Sequence, residues 1–357
     1  MLEFHRIILL YIIYFDFHSS NILNIYICQM KYILISFAFL FSACSSRVTD
    51  ILVKNTGETQ GTFYHIQYIS EGGKDYKQQV DSLLLEIDSS LSTYKEYSLI
   101  SRLNKDEKLK VDYFFEEVFY AAKKVYIESN GDFDCSIAPL SNYWGFGSED
   151  NLSEIDSSEV KRRLSLVDFS KIKILNDSLL LPKGMQLDFN SIAQGYSVDV
   201  VASFLEKKGI KNYLVEIGGE LKANGVNSDN KIWLIGIDKP IENEEEAQGY
   251  QIILPLKNSS LATSGNYRKF KEIDGVKYSH TISTKTGYFA KNRMLSVTVI
   301  HPSCMLSDAY ATAFMSMGIK KGKEFANSHS ELKVYIVYSD QQGGWKTFST
   351  ENLEIPE

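Results

Sequence analysis

The sequence carries no excess of positive charge. Its 38 Lys and Arg stand against 45 Asp and Glu, a formal net charge of -7, with no basic tract. Such a chain lacks the electrostatic footprint of sequence-independent nucleic-acid binding. Cysteine is scarce: Cys28, Cys44, Cys135 and Cys304 are the four in 357 residues, and none belongs to a CxxC pair. The usual zinc spacing is therefore missing. Proline is limited to 6 and glycine to 22, which excludes collagen-like or low-complexity character. No repeat recurs at solenoid periods.

What remains is a chain that is 44% hydrophobic and 23% charged, rich in Tyr (22) and Phe (20). That is ample for one large or two modest globular domains. Met30–Ser46 reads MKYILISFAFLFSACSS: one lysine, an uncharged run too short to span a bilayer comfortably, then small residues and a cysteine. This is a secretory layout, and the Ser42-Ala43-Cys44 ending resembles a bacterial lipoprotein signal, in which Cys44 would be lipidated. The expected division is an upstream extension over residues 1–29, a signal over 30–43, a tether over 44–58 and one domain over 59–357. A signal anchor made of both N-terminal apolar runs is the alternative. The expected place is the periplasmic side of the cell envelope, lipid-anchored, with the inner membrane favoured. Cys135 and Cys304, left in the mature chain, are expected as two buried thiols, a disulfide between them being the alternative.

Periodicity then gives the elements. Gln60–Ile69 alternates as a strand. Tyr76–Leu91 and Asp112–Ser129 show helical spacing with one apolar side. Gly131–Gly147, GDFDCSIAPLSNYWGFG, reads as a ring-rich loop, either a functional wall or a plug over the core. Ser148–Val167 reads as a surface helix, and Ile172–Leu181 with Met185–Phe189 as a hairpin. Ile232–Asp238, Gln251–Leu256, Ser296–Pro302 and Lys333–Tyr338 read as strands. Leu306–Met317 reads as a helix ended by Gly318, with another over Lys320–His329. The class is mixed α/β (α+β) with antiparallel pairs.

The chain is organised around Leu187–Ala223, LDFNSIAQGYSVDVVASFLEKKGIKNYLVEIGGELKA. It reads as an acid-bearing strand end, a turn of small residues, an amphipathic helix, a strand and a double-glycine turn. The nearly bare backbone at Asn190–Gly195 opens a helix whose N–H groups and dipole favour an anion. Asp308 and Thr312, four apart on one helix, share a face. A carboxylate with a hydroxyl suits Mg²⁺, although Asp308 could equally serve its helix N-terminus and Thr312 bond back to the 308 carbonyl. His280, between Ser279 and Thr281, reads as a general base or a phosphate partner, or as a structural histidine. Thr263-Ser264-Gly265 reads as a phosphate-facing turn or an ordinary strand end.

Taken together, QGTFYHIQY, LSTYKEYSLISRLN, DCSIAPLSNYWGFG, LDFNSIAQGYSVD, NYLVEIGGEL, LATSGNYRKF, YSHTISTKTGY and SVTVIHPSCMLSDAYATA resemble, in order, the ApbE family of bacterial FAD:protein FMN transferases. The resemblance implies that family's fold, a T-fold-related flavin transferase domain with mixed and antiparallel sheets. It also implies a reaction: FAD is bound, Mg²⁺ holds its diphosphate, a threonine hydroxyl of an acceptor protein attacks the FMN phosphorus, and AMP leaves. The acceptors implied are respiratory or electron-transport subunits. Residue by residue, it implies Asp308, Thr312 and the Ala193 carbonyl as metal ligands, with Ser191 nearby. It implies Gln60, Tyr94, Asp132, Phe133, Asp134, Asp188, Gln194 and Ile282 as FAD contacts, and His280 and Asp308 as the catalytic pair. The sequence departs from the family pattern in several places. Gln60 stands where Met is common, and Gln194 where a charged residue is. Ser283-Thr284 replaces Asp-Pro, and Asn190-Ser191 replaces Gly-Gly. Hydrolysis of FAD to FMN and AMP, or FAD binding without chemistry, are the alternatives in function.

Overall fold

Two features of the sequence fix the architecture: strands with apolar residues on both faces, and helices with apolar residues on one. The computed structural model describes residues 49–146, 156–239, 249–265, 270–273, 276–279, 281–290 and 292–356, with only the backbone path over 270–273 and 276–279. In chain order come strands β1 (Asp50–Thr59) and β2 (Thr62–Glu71), and helices α1 (Lys77–Leu91), α2 (Leu99–Leu103), α3 (Tyr113–Glu128), α4 (Ala138–Tyr143) and α5 (Ser157–Leu164). The short hairpin β3 (Lys173–Leu175) and β4 (Ser178–Leu180) precedes helix α6 (Ala193–Lys207). Strands β5 (Tyr213–Ile217), β6 (Glu220–Asn224), β7 (Trp233–Asp238), β8 (Tyr250–Leu256), β9 (Ser259–Gly265), β10 (Phe270–Ile273), β11 (Val276–Ser279) and β12 (Met294–His301) follow. The chain ends with helix α7 (Cys304–Ser328) and strands β13 (Lys333–Ser339) and β14 (Trp345–Ser349).

Eight strands form one sheet in the order β1-β2-β5-β6-β9-β12-β13-β14, and every neighbouring pair is antiparallel. Alternation along β12 and β13 sorts the core. Val297, Val299, Val334 and Ile336 face a large cluster with α3 and α7. Ile300, Tyr335 and Val337 face the opposite way, against Trp233, Ile235 and Leu254 of the β7–β8 ribbon. The sheet is thus buried on both faces, by helices on one and a two-stranded ribbon on the other. No described helix is long and apolar enough to cross a membrane.

Several sequence expectations change here. The segment read as the end of a tether, up to residue 58, contains edge strand β1, paired with β2 from Asp50↔Glu71 to Thr59↔Thr62. The hairpin turn is Gln60-Gly61, both at positive φ (51 and 70), as a two-residue connection between twisted strands requires. Met185–Phe189 is not a strand. The Asn104 side-chain amide pairs with the Leu187 backbone, accepting from its N–H and donating to its carbonyl (both 2.8 Å), in place of a neighbouring strand. The loop at Gly131–Gly147 contains α4, and Trp144 just after it is fully buried. Strand β14 was not foreseen. Gly318 breaks α7 (φ 73, ψ 176) where the sequence places a helix end. Asn292 Nδ2 donates to the Met315 carbonyl just before the break (2.7 Å). Cys135 and Cys304 are free and buried.

Candidate active site at the crossing of two helix starts

Helix α6 begins without a side-chain cap of its own, because its N-cap is Ile192. An uncapped start leaves N–H groups needing acceptors. The Asp308 carboxylate, projecting from α7, meets the third of these: Gly195 N–H donates to Asp308 Oδ2 at 3.0 Å. The approach demands glycine. A Cβ on residue 195 would lie 2.4 Å from the Cys304 carbonyl oxygen and 2.8 Å from Asp308 Cβ. Asp308 is buried, and desolvation pushes its carboxyl up to about 7 against the opposing pull of the Gly195 N–H. Thr312 stands one turn further along α7, half-buried.

Ala193 is the first residue of α6, and its carbonyl accepts from Ser197 Oγ (2.9 Å). Ser197 Oγ in turn accepts from Gln60 Nε2 (2.6 Å). The β1–β2 hairpin turn therefore reaches the start of α6, and Gln60 Oε1 is buried without a partner there. Gln194 lies on the double-glycine turn: a Cβ at Gly218 would fall 1.7 Å from Gln194 Nε2.

On the approach to this crossing, Asp188 N–H donates to the Cys135 carbonyl (2.8 Å), and Asp188 Oδ1 accepts from Asn190 N–H (2.8 Å). Burial raises the Asp188 carboxyl, with Asn190 opposing. The Tyr94 ring is 62% exposed, yet its phenol is raised, first by desolvation and then by the negative charge of Asp188. Both face one region. The Asp132–Asp134 stretch behaves differently. Asp132 is ion-paired with Lys321, beyond the α7 break. Phe133 is 1% exposed in the main core. Asp134 caps the following short helix, accepting from Ser136 N–H and Oγ (2.8 and 2.6 Å) and from Phe169 N–H (3.2 Å). Ile282 is buried with Leu140, Trp144, Val160 and Phe289. Side chains at Phe133, Asp134 and Ile282 are thus taken up by the protein, and what they leave for a ligand is backbone. His280 and Cys44 lie outside the described residues.

The structure brings together Gln60, Ala193, Gln194, Asp308 and Thr312, and next to them Tyr94 with Asp188. Sequence reasoning missed Asn104, although its motif SRLN was in view, and Lys321. It also missed Asp199, an acid on α6 that reads from sequence as a solvated helix residue. Among the described residues no cluster of three or more His, Cys, Asp or Glu could hold a metal. One carboxylate, one hydroxyl and a backbone carbonyl are nonetheless a donor set for Mg²⁺, which takes its remaining ligands from water and substrate phosphate. A desolvated carboxylate held by a single N–H is short of the partners that a cation supplies.

The model of the ApbE family matches residues 60–336. The FAD:protein FMN transferase of Vibrio cholerae is 36% identical over 309 residues, 84% of this chain and 91% of that protein. The FAD:protein FMN transferase of Haemophilus influenzae is 31% identical over 327 residues, 87% and 93% of the two chains. Among solved structures, the flavin transferase ApbE from Vibrio cholerae superposes with a TM-score of 0.76 at 34% identity, covering 85% of this chain and 98% of that one.

Proposed function

The chain belongs to the ApbE family and is an FAD:protein FMN transferase, and from that premise we propose that it moves FMN to a threonine of its acceptor with Mg²⁺ held at the α6–α7 crossing. The observation that carries the site assignment is the Gly195–Asp308 contact. It puts the Asp308 carboxylate, with Thr312 one turn away, against the helix start that carries the Ala193 carbonyl.

A cation bound there would neutralise charge on the FAD diphosphate and on the departing AMP. The chain's own residues do the rest. Asp308, Thr312 and the Ala193 carbonyl would hold the cation, the carbonyl sharing its lone pairs with the hydrogen bond that Ser197 Oγ donates to it. The start of α6 turns N–H groups and its dipole toward the phosphates. Tyr94 offers an exposed ring for stacking on a ring of FAD. Asp188 and the backbone of Asp132–Asp134 fix the dinucleotide, so that phosphorus and incoming hydroxyl meet in one geometry. His280 takes the proton of an acceptor threonine hydroxyl as that oxygen bonds to the FMN phosphorus. AMP leaves with the electron pair of the broken P–O bond. The N-terminal segment through Cys44 anchors the domain by lipid to the envelope, on the periplasmic side, where the acceptor is an electron-transport subunit.

The test is incubation with FAD, Mg²⁺ and a protein or peptide bearing an acceptor threonine, followed by mass spectrometry and nucleotide analysis. A gain on threonine of the mass of FMN less one water, with equimolar AMP, is the expected result. FMN and AMP both free in solution would mean hydrolysis, and unchanged FAD would mean binding alone.

A further inference from the structure

The α6–α7 crossing contains a second carboxylate that the reaction itself does not use. Asp199 lies one helical turn beyond Gly195 on α6, with its side chain 16% exposed. Its Oδ1 accepts from Lys222 Nζ of β6 at 2.8 Å. Its Oδ2 accepts from Ser303 Oγ at 2.7 Å and from Met305 N–H at 3.0 Å. Ser303 is the N-cap of α7, its Oγ also accepting from Leu306 N–H at 3.3 Å, and Met305 is the second residue of that helix. The two helix starts are therefore capped reciprocally: Asp308 of α7 accepts from the first turn of α6, and Asp199 of α6 accepts from the first turn of α7. Each bond is charge-assisted and lies at a helix N-terminus, where the dipole favours an anion.

We propose that Asp199 is a positioning residue for the cation site, fixing the register of α7 on α6 so that Asp308 and Thr312 meet the Ala193 carbonyl. This rests on the reading of Asp308 and Thr312 as ligands. Lys222 gives the mechanism its second anchor. Tied to β6 of the main sheet, it holds the Asp199 carboxylate with Oδ2 turned toward α7. A Cβ at Gly195 has no room against Cys304, so the helices are already at closest approach. The remaining freedom is sliding and rotation of α7, which the Ser303 and Met305 bonds remove. A small loss of register there costs metal affinity in the way loss of a ligand's supporting partner does, about tenfold or more.

The experiment titrates Mn²⁺ alone into metal-free full-length protein, with free Mn²⁺ read by electron paramagnetic resonance, at a temperature well below unfolding. Asp199→Ala is expected to weaken Mn²⁺ binding about tenfold or more, with metal-free FAD binding, read by flavin fluorescence, moved less than about twofold. The double variant Asp199→Asn/Lys222→Met keeps an oxygen acceptor for Ser303 and Met305 and removes the unpaired charge, and is expected to restore Mn²⁺ affinity to within about threefold. Val337→Ala, a cavity on the far face of the sheet, lowers the melting temperature without moving Mn²⁺ affinity. If Asp199→Ala only lowers the melting temperature and binds Mn²⁺ as the unaltered protein does, while Asp308→Ala does not bind, the positioning role is overturned and the cation site stands. If the unaltered protein binds no Mn²⁺, the cation reading falls, and this inference with it. Should Asp199→Ala fail to fold, Ser303→Ala carries the test, with about threefold weaker binding expected and unchanged binding overturning the proposal.

Discussion

The α6–α7 crossing and the Asn130–Asp134 loop are built by opposite means. At the crossing, one acid is left short of partners: the Asp308 carboxylate has one N–H partner, and its desolvation is uncompensated by any described cation of the protein. At the loop, side chains are used for structure. Lys321 pairs with Asp132, Asp134 caps a helix, and Phe133 fills the core. From the other side, Thr284 Oγ1 donates to the Gly131 carbonyl and Lys285 Nζ to the Asn130 carbonyl, each at 2.6 Å. A small hard ion is recognised by charge placed at an exact depth, and it tolerates an unsatisfied acid waiting for it. A large planar ligand is recognised by a surface whose shape must already be held, so the polar groups there are spent on holding it.

The sharpest way to break this contrast is at Asp308. Asp308→Ala removes the one carboxylate of the proposed cation site, and Mg²⁺-dependent transfer is expected to fall on the order of 10³-fold, read as flavin incorporated per minute. Asp308→Asn separates function from stability. The folded carboxyl is held at about 7 against an ordinary 3.8. Between these values the native state keeps a proton that the unfolded chain has released, so this group's contribution to stability falls as pH rises from about 4 to 7. Metal-free Asp308→Asn lacks that loss. Its melting temperature is expected to exceed that of the unaltered protein at pH 8, by about 2–4 °C for each kcal/mol recovered, and to converge with it near pH 4. Mg²⁺ should close the gap at pH 8 by stabilising only the unaltered protein. A melting temperature for Asp308→Asn below the unaltered protein's at pH 8 would show that this acid is a structural cap.

Next in size is Gly195→Ala. Helix propensity alone favours alanine by about 1 kcal/mol. The new Cβ, however, meets the Cys304 carbonyl oxygen at 2.4 Å, a backbone atom that cannot move without shifting α7. Overpacking of this kind costs about 1–3 kcal/mol and should lengthen the Gly195–Asp308 bond. The expected result is a lower melting temperature together with a raised Mg²⁺ requirement. Chemical denaturation and a Mg²⁺ dependence of initial rate would check both.

The sequence was readable where local chemistry and function point the same way. The small residues of Asn190–Gly195 and the break at Gly318 announced themselves, because a close approach and a left-handed residue each demand glycine. The spacing of Asp308 and Thr312 put both on one face. What could not be read were partnerships across the fold. Asp199 looks like any solvated helix acid until Ser303 and Met305 are brought to it across 104 and 106 residues. Asn104 looks like a helix C-terminus until Leu187, 83 residues on, replaces the strand it was expected to be. Strand β1 reads as a tether in the sequence because an edge strand needs only one partner, and half of its side chains face water. The family motif points to Phe133 and Asp134, but a motif does not say which way a side chain turns: one fills the core and the other caps a helix.

On the loop side the expected effects are smaller and touch FAD alone. Lys321→Met breaks the tie to Asp132 but keeps the length of the side chain. It leaves a buried carboxylate without its cation, so FAD affinity should fall about tenfold, the equivalent of about 1.4 kcal/mol, with Mn²⁺ binding unchanged. Thr284→Val, nearly isosteric, deletes one hydrogen bond to the Gly131 carbonyl. A bond of this type contributes about 1 kcal/mol, and Lys285 still holds the adjacent carbonyl. The FAD dissociation constant should therefore rise only about threefold, while hydrogen exchange at residues 130–132 accelerates by a similar factor. If Thr284→Val instead weakens Mn²⁺ binding as much as FAD binding, the two halves of the site are one cooperative unit. The division between a waiting charge and a pre-held surface would then no longer describe this protein.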